Sequence, residues 1–172
     1  MAGDNKAKYA AFVALTVTNL HSLASDQSLL AGWSSAVVDN TSNLYLDYLL
    51  SMSFTTHASN RQAGKINIYV IASYDDTPNW PAANSGTWGT EGAASFVDTE
   101  ERDSIARPVW SIDVDNSASA VYGFQQLPLF GGLMVPSHFC LFVTQNCSTT
   151  TTAGLAASGS KAGYKPGLLQ YT

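Results

Sequence analysis

Three runs in this chain alternate with a period of two: KINIYVIASYDD, HFCLFVTQN and NLYLDYLLSMSFTT. Successive side chains of a β-strand point to opposite faces, so this period is a strand signature. In the first run Ile66, Ile68 and Val70 share one face, and Asn67, Tyr69 and Ile71 share the other. The second face is still largely apolar, which predicts a central strand. The second run reads the same way, with Phe139, Leu141 and Val143 set against Cys140, Phe142 and Thr144. The third puts Leu44, Leu46, Tyr48, Leu50, Met52 and Phe54 on one parity and the more polar Tyr45, Asp47, Leu49, Ser51 and Ser53 on the other. A helix is its rival, because LYLDYLLSM also fits an i, i+4 pattern. The sustained alternation and the flanking FTT favour a strand.

Five further short runs, at 12–20, 33–38, 108–114, 120–126 and 164–171, are rich in β-branched and aromatic residues and bounded by Gly, Asn, Asp, Ser and Pro. About eight short strands with long connections and almost no helical periodicity predict an all-β fold: an antiparallel β-sandwich, jelly-roll-like. The 172 residues suit one domain, placed at 11–172, with residues 1–10 as a flexible or partner-bound arm. The segment NKAKYAAFVALTVTNLHSLAS imitates a signal peptide, but Asp4 precedes its apolar run, and the alternation from Phe12 predicts a half-buried strand. Two connections stand out. The long one from Asp75 to Ser104 carries Trp80 and Trp88, and its DTEERD reads as a solvated acidic loop. The polar CSTTTTAGLAASGSKAG reads as an exposed loop or an arm.

Charged residues are only 12% of the chain, about half the usual share, so Ser, Thr, Asn, Gln and Gly must cover much of the surface. Such a surface suits contact with other protein. The net charge of −5, with eight Lys and Arg scattered along the chain, lacks the basic footprint of a nucleic-acid binder. It also disfavours docking on an anionic membrane, and no apolar run reaches the length of a spanning helix.

A catalytic constellation is not legible. No G-x-S-x-G is present, and His21, His57 and His138 fall at strand edges or in turns, as surface or boundary residues. Asp113 and Asp115 share a strand face and could bind a cation such as Ca²⁺ or serve a hydrolase, but a solvated strand end is the plainer reading. Cys140 and Cys147 read as two free thiols with Cys140 in the core. No cofactor and no metal are expected. Asp39, Asn40 and Thr41 suit a tight turn whose side chains bond nearby amides and set the register of the following strand. Trp80 and Trp88 are candidates for a partner or glycan surface, although packing in a core or loop is the commoner fate of such side chains, and Lys6 and Lys8 are further candidate contacts.

The pattern SLASDQSLLAGWSSAVVDNTSNLYLDYLLSMSFTT, followed by KINIYVIASYDD and the late LPLFGGLMVPSHFCLFVTQNCS, resembles a family of small tailed-bacteriophage virion proteins. The similarity runs from about Leu20 to Tyr171. It implies a jelly-roll-like subunit of the decoration or cement type, located in the virion on the outer capsid surface. Its implied partners are the major capsid protein and further copies of itself, with a trimer favoured over a dimer. The alternative is a carbohydrate- or receptor-binding head on a fibre or other appendage. The segment from Trp80 to Glu91 departs from the family pattern, which leaves the virion position open. Met1 to Lys8 and the C-terminal segment are the expected means of reaching neighbours.

Overall fold

The computed structural model describes residues 5–73, 75–80, 85–86, 88–149 and 153–171; the side chains of 5–7, 85–86 and 169–171 lie outside that description. Two antiparallel sheets face each other. The first is β1 (Asn5–Tyr9), β12 (Lys161–Tyr171), β5 (Asp47–Thr55) and β10 (Val121–Pro128) in that order, with β2 (Val13–Ala14) also on β12. The second runs β7 (Ser85–Gly86), β8 (Gly92–Ser95), β3 (Ala31–Ser34), β11 (His138–Gln145), β6 (Gly64–Ser73) and β9 (Arg107–Val114), with β4 (Val38–Asp39) also on β11. Setting β7 and β8 aside, β1-β12-β5-β10 over β3-β11-β6-β9 is jelly-roll order. The fold is therefore the expected antiparallel β-sandwich, jelly-roll-like.

The parities place the core. Tyr48, Leu50, Met52 and Phe54 of β5 face Ile66, Ile68 and Val70 of β6 and Phe139, Leu141 and Val143 of β11 in one buried cluster. The opposite faces of β6 and β11 are buried too. Tyr69, Ile71, Cys140 and Phe142 lie under Trp88, Phe96 and Ala106, with Trp80 and Ile105 packed alongside. The long β6–β9 connection is thus a lid on the outer face of the seven-stranded sheet. That is why all eight residues of β11 are buried. Both cysteines are free and buried, and burial pushes each thiol up to about 11.

Several expectations need correction. DTEERD is a helix, α1 (Thr99–Ile105), not a solvated loop. Asp98 caps it, accepting from Glu101 N at 2.8 Å, while Glu101 Oε2 accepts from Val97 N at 2.7 Å. Asp98 thus serves as the N-cap, a signal the D-x-x-E run already carried, and Glu101 reaches one residue further back. The strand expected at 12–20 is only Val13–Ala14, followed by turns with Leu20 fully buried. The arm expected at 1–10 pairs, over Asn5–Tyr9, with β12 as an edge strand. The C-terminal segment likewise lies inside the sheet, between β1 and β5. In the Thr/Ser-rich stretch, Cys147, Ser148 and Leu155 are fully buried rather than part of an exposed arm.

One carboxylate organises the entry to β3. Asp26 accepts from Ser28 N (3.0 Å), Leu30 N (2.7 Å) and Ala31 N (2.6 Å). Partial burial pushes this carboxyl up, but the three amides outweigh it and hold it below the usual range. A depressed folded value means stabilisation that is present above the ordinary carboxylate range and lost as pH falls through the folded value. Asp26→Asn is therefore expected to be less stable than the parent at neutral pH, with the gap narrowing in acid. Urea denaturation across a pH series checks this, and a gap that stays constant with pH contradicts it.

Candidate functional site: an apolar surface on two tied loops

The corner at 39–46 turns the chain from β4 into β5. Asp39 Oδ1 accepts from Thr41 N (2.8 Å) and Thr41 Oγ1 (2.7 Å). Those two bonds hold its carboxyl below the usual range, with a smaller contribution from His138, whose Nε2 lies 3.6 Å away. Asn40 is buried. Its Oδ1 accepts from Tyr45 N (2.8 Å) and the Tyr48 hydroxyl (2.9 Å), and its Nδ2 donates to Tyr45 O (3.2 Å). Asp39, Asn40 and Thr41 therefore build the turn expected of them. Asn40 is also the Asn of an NTS sequon, and its side chain is fully engaged inside the corner.

The second loop, 129–137, is fastened to this corner. Asp47 Oδ1 accepts from Phe130 N (2.8 Å) and Oδ2 from Gly131 N (3.1 Å), while Asn40 N donates to Ser137 O (2.8 Å). Arg107 Nη2 donates to Leu129 O, and its guanidinium lies 5.2 Å from the Phe130 ring centroid. Gly131 and Gly132 take φ of 58° and 83°, which a side chain resists, so FGG is suited to this tight return.

These ties bring four large apolar side chains to the surface in one place. Leu44 and Leu46, on the core parity of the third run, fall before β5 starts and are 73% and 51% exposed; Leu133 and Met134 are 61% and 78% exposed. Leu44, Leu46, Leu133 and Met134 line one open groove together with Tyr45 and Val135, and Leu133 and Met134 continue into a neighbouring groove with Val70, Ala72 and Ile105. The adjoining exposed residues Thr41, Ser42 and Asn43 are uncharged. Burying such side chains contributes on the order of 1–2 kcal/mol each, so the surface is suited to contact with another apolar surface.

The other candidates fall elsewhere. Trp88 is only 6% exposed, inside the second core with its ring 5.3 Å from Phe142 and 4.9 Å from Phe96. Its faces are not open to a glycan or a partner, which corrects the expected role. Trp80 is half-buried against the same cluster, lying over Gly89. Lys8 is exposed on the edge strand β1; Lys6 pairs through its backbone with Gln170, and its side chain lies outside the described residues. Asp113 is paired with Lys65 at 2.6 Å. The Asp115 carboxyl is bonded by the Tyr122 hydroxyl and by Ser117, which hold it below the usual range. His138, expected at the surface or boundary, is buried, with Nδ1 3.1 Å from Asp75 O. Among the described residues no group of three His, Cys, Asp or Glu is placed to hold a metal ion, and no helix is long and apolar enough to cross a membrane.

No protein-family model matches the chain, and no curated protein or solved structure does either. The apolar loop surface was missed at the sequence level because Leu44 and Leu46 continue the core parity of β5. The signal was the Asx corner itself, which delays the start of strand pairing to Asp47 although the hydrophobic pattern already begins at Leu44.

Proposed function

We propose that this chain is a non-enzymatic structural protein of a phage virion. In this reading it decorates or cements the outer shell by binding between major capsid protein subunits, and it assembles with copies of itself, as a trimer rather than a dimer. The observation that carries the reading is the apolar surface of Leu44, Leu46, Leu133 and Met134, held on two mutually tied loops of a jelly roll. Loop backbones held this way lose little further freedom on binding, which favours docking. The motif resemblance and the 12% charge content support the same reading.

A cement subunit works by adding buried area between neighbours, and a specific contact needs on the order of 1,000 Å² or more. Mass spectrometry of purified particles of the encoding phage tests the reading. Many copies per particle are expected, and absence or a handful of copies overturns it. The double variant Leu44→Asp, Met134→Asp is expected to lose particle binding, while its own folding stability changes by only about 0.5 kcal/mol, because both side chains are exposed.

A further inference from the structure

The two broad faces of the sandwich differ. The seven-stranded sheet is covered by its own insert, which places the exposed acids Glu100 and Asp103 on that side. On the five-stranded sheet a trough of about 350 Å³ lies open across β12, β5 and β10. Its floor is Leu49, Ser51 and Ser53 of β5. One wall is Phe12, whose ring tip takes the space over Gly163, where a Cβ would lie 2.2 Å from its Cζ; the ring stays 50% exposed. The other wall is made by a bulge. The pairing of β10 with β5 shifts between Phe124 and Leu127, so Gln125 and Gln126 together stand opposite Ser51, and Gln126 has a φ of 57°. Bulges of this kind re-aim side chains, and both carboxamides are exposed.

Lys161 and Lys165 complete the rim. Four residues apart on one strand, they face the same way about 13 Å apart. No Asp or Glu lines the trough, although the chain carries a net charge of −5. Among the described residues no hydrogen bond or ion pair engages the side chains of Ser53, Gln125, Gln126, Lys161 or Lys165. Elsewhere the polar side chains of comparable sites, such as Asp26, Asn40 and Asp47, are already spoken for.

We propose that this trough binds an acidic polysaccharide. Its carboxylates pair with Lys161 and Lys165, its hydroxyls bond Ser53, Gln125 and Gln126, and the apolar face of one sugar ring lies against Phe12. Charge complementarity sets the sign of the ligand. The free hydroxyl of Ser53 and the carboxamides of Gln125 and Gln126 set its class: they match the hydroxyls of a sugar, while Phe12 and Leu49 offer apolar surface for the face of a pyranose ring. The trough shares no residue with the apolar loop surface, so the two readings stand or fall separately.

Isothermal titration of the full chain at physiological salt tests this with oligomers of galacturonate, hyaluronate and polysialic acid, with dextran as the neutral control and poly-L-glutamate as the acidic-protein control. At least one of the three acidic saccharides is expected to bind about tenfold or more tighter than dextran. Lys161→Gln, Lys165→Gln should weaken that binding by about tenfold, and Phe12→Ala by about threefold or more, with Gln125→Ala as an independent exposed variant expected to weaken it as well. The thermal midpoints of the Lys and Gln variants should match the parent. Failure of all three saccharides to bind at millimolar concentration overturns the proposal. So does poly-L-glutamate binding as tightly as the best saccharide with no effect of Phe12→Ala or Gln125→Ala; that pattern assigns the face to an acidic protein.

Discussion

Asn40→Ala is expected to destabilise the fold by about 3–5 kcal/mol, because each buried polar group left without a partner costs about 1–3 kcal/mol. Asn40 is 4% exposed and serves three groups at once: Tyr45 N, Tyr45 O and the Tyr48 hydroxyl. Truncation strands the Tyr48 hydroxyl in a core where the ring packs edge-on against Phe139 at 4.9 Å and Tyr164 at 5.3 Å. Tyr48→Phe is the control. It removes the hydroxyl but leaves Asn40 bonded to Tyr45, so its cost should be only about 1 kcal/mol. Urea denaturation of the two variants measures both. A loss under about 1 kcal/mol for Asn40→Ala would mean the corner does not depend on this side chain. The same variant should weaken particle binding, since the corner carries Leu44 and Leu46.

Phe142→Ala is the second large effect, expected at about 3–5 kcal/mol. Phe142 is fully buried on the outer face of β11, with Trp88, Phe96 and Tyr69 rings at 5.3, 5.1 and 6.1 Å. Removing it hollows the second core without touching the first. The insert from β6 to β9 should then loosen before the sandwich does, so Trp88 should become solvated at lower denaturant than the sheets unfold. Fluorescence followed alongside far-ultraviolet circular dichroism separates the two events. Phe142→Leu, which keeps most of the volume, should cost under about 1.5 kcal/mol. Equal costs for the two substitutions would show that the second core is not closely packed around this ring.

Much of the frame was legible in the chain itself. The alternation in β5, β6 and β11 named the inward residues, and the apolar second faces of β6 and β11 announced that something else had to cover them. What covers them was hidden. The insert is a Pro-, Gly- and Asn-bearing stretch with few apolar residues, so Trp88, Phe96, Ala106 and Ile105 gave no periodic signal although they close a core. The tryptophans therefore read either as surface ligands or as packing residues, and a sheet face waiting to be covered is what decides for packing at Trp88. The corner at Asp39, Asn40 and Thr41 was readable because its bonds are local, within a few residues of chain.

By itself, then, the order of residues determined the strand period, the inward parity and the Asx turn, since all three depend on neighbours along the chain. Only the tertiary structure decided which apolar residues stay outside. Leu44 and Leu46 follow the same alternation as Leu50 and Phe54, but the sheet begins at Asp47, and residues beyond its edge have no facing layer to enter. Their meeting with Leu133 and Met134 depends on Asp47 reaching across to Phe130 and Gly131, a contact between residues far apart in the chain. The trough was settled in the same way: Lys161, Gln125 and Ser53 come from three strands, and only the pairing register sets them side by side.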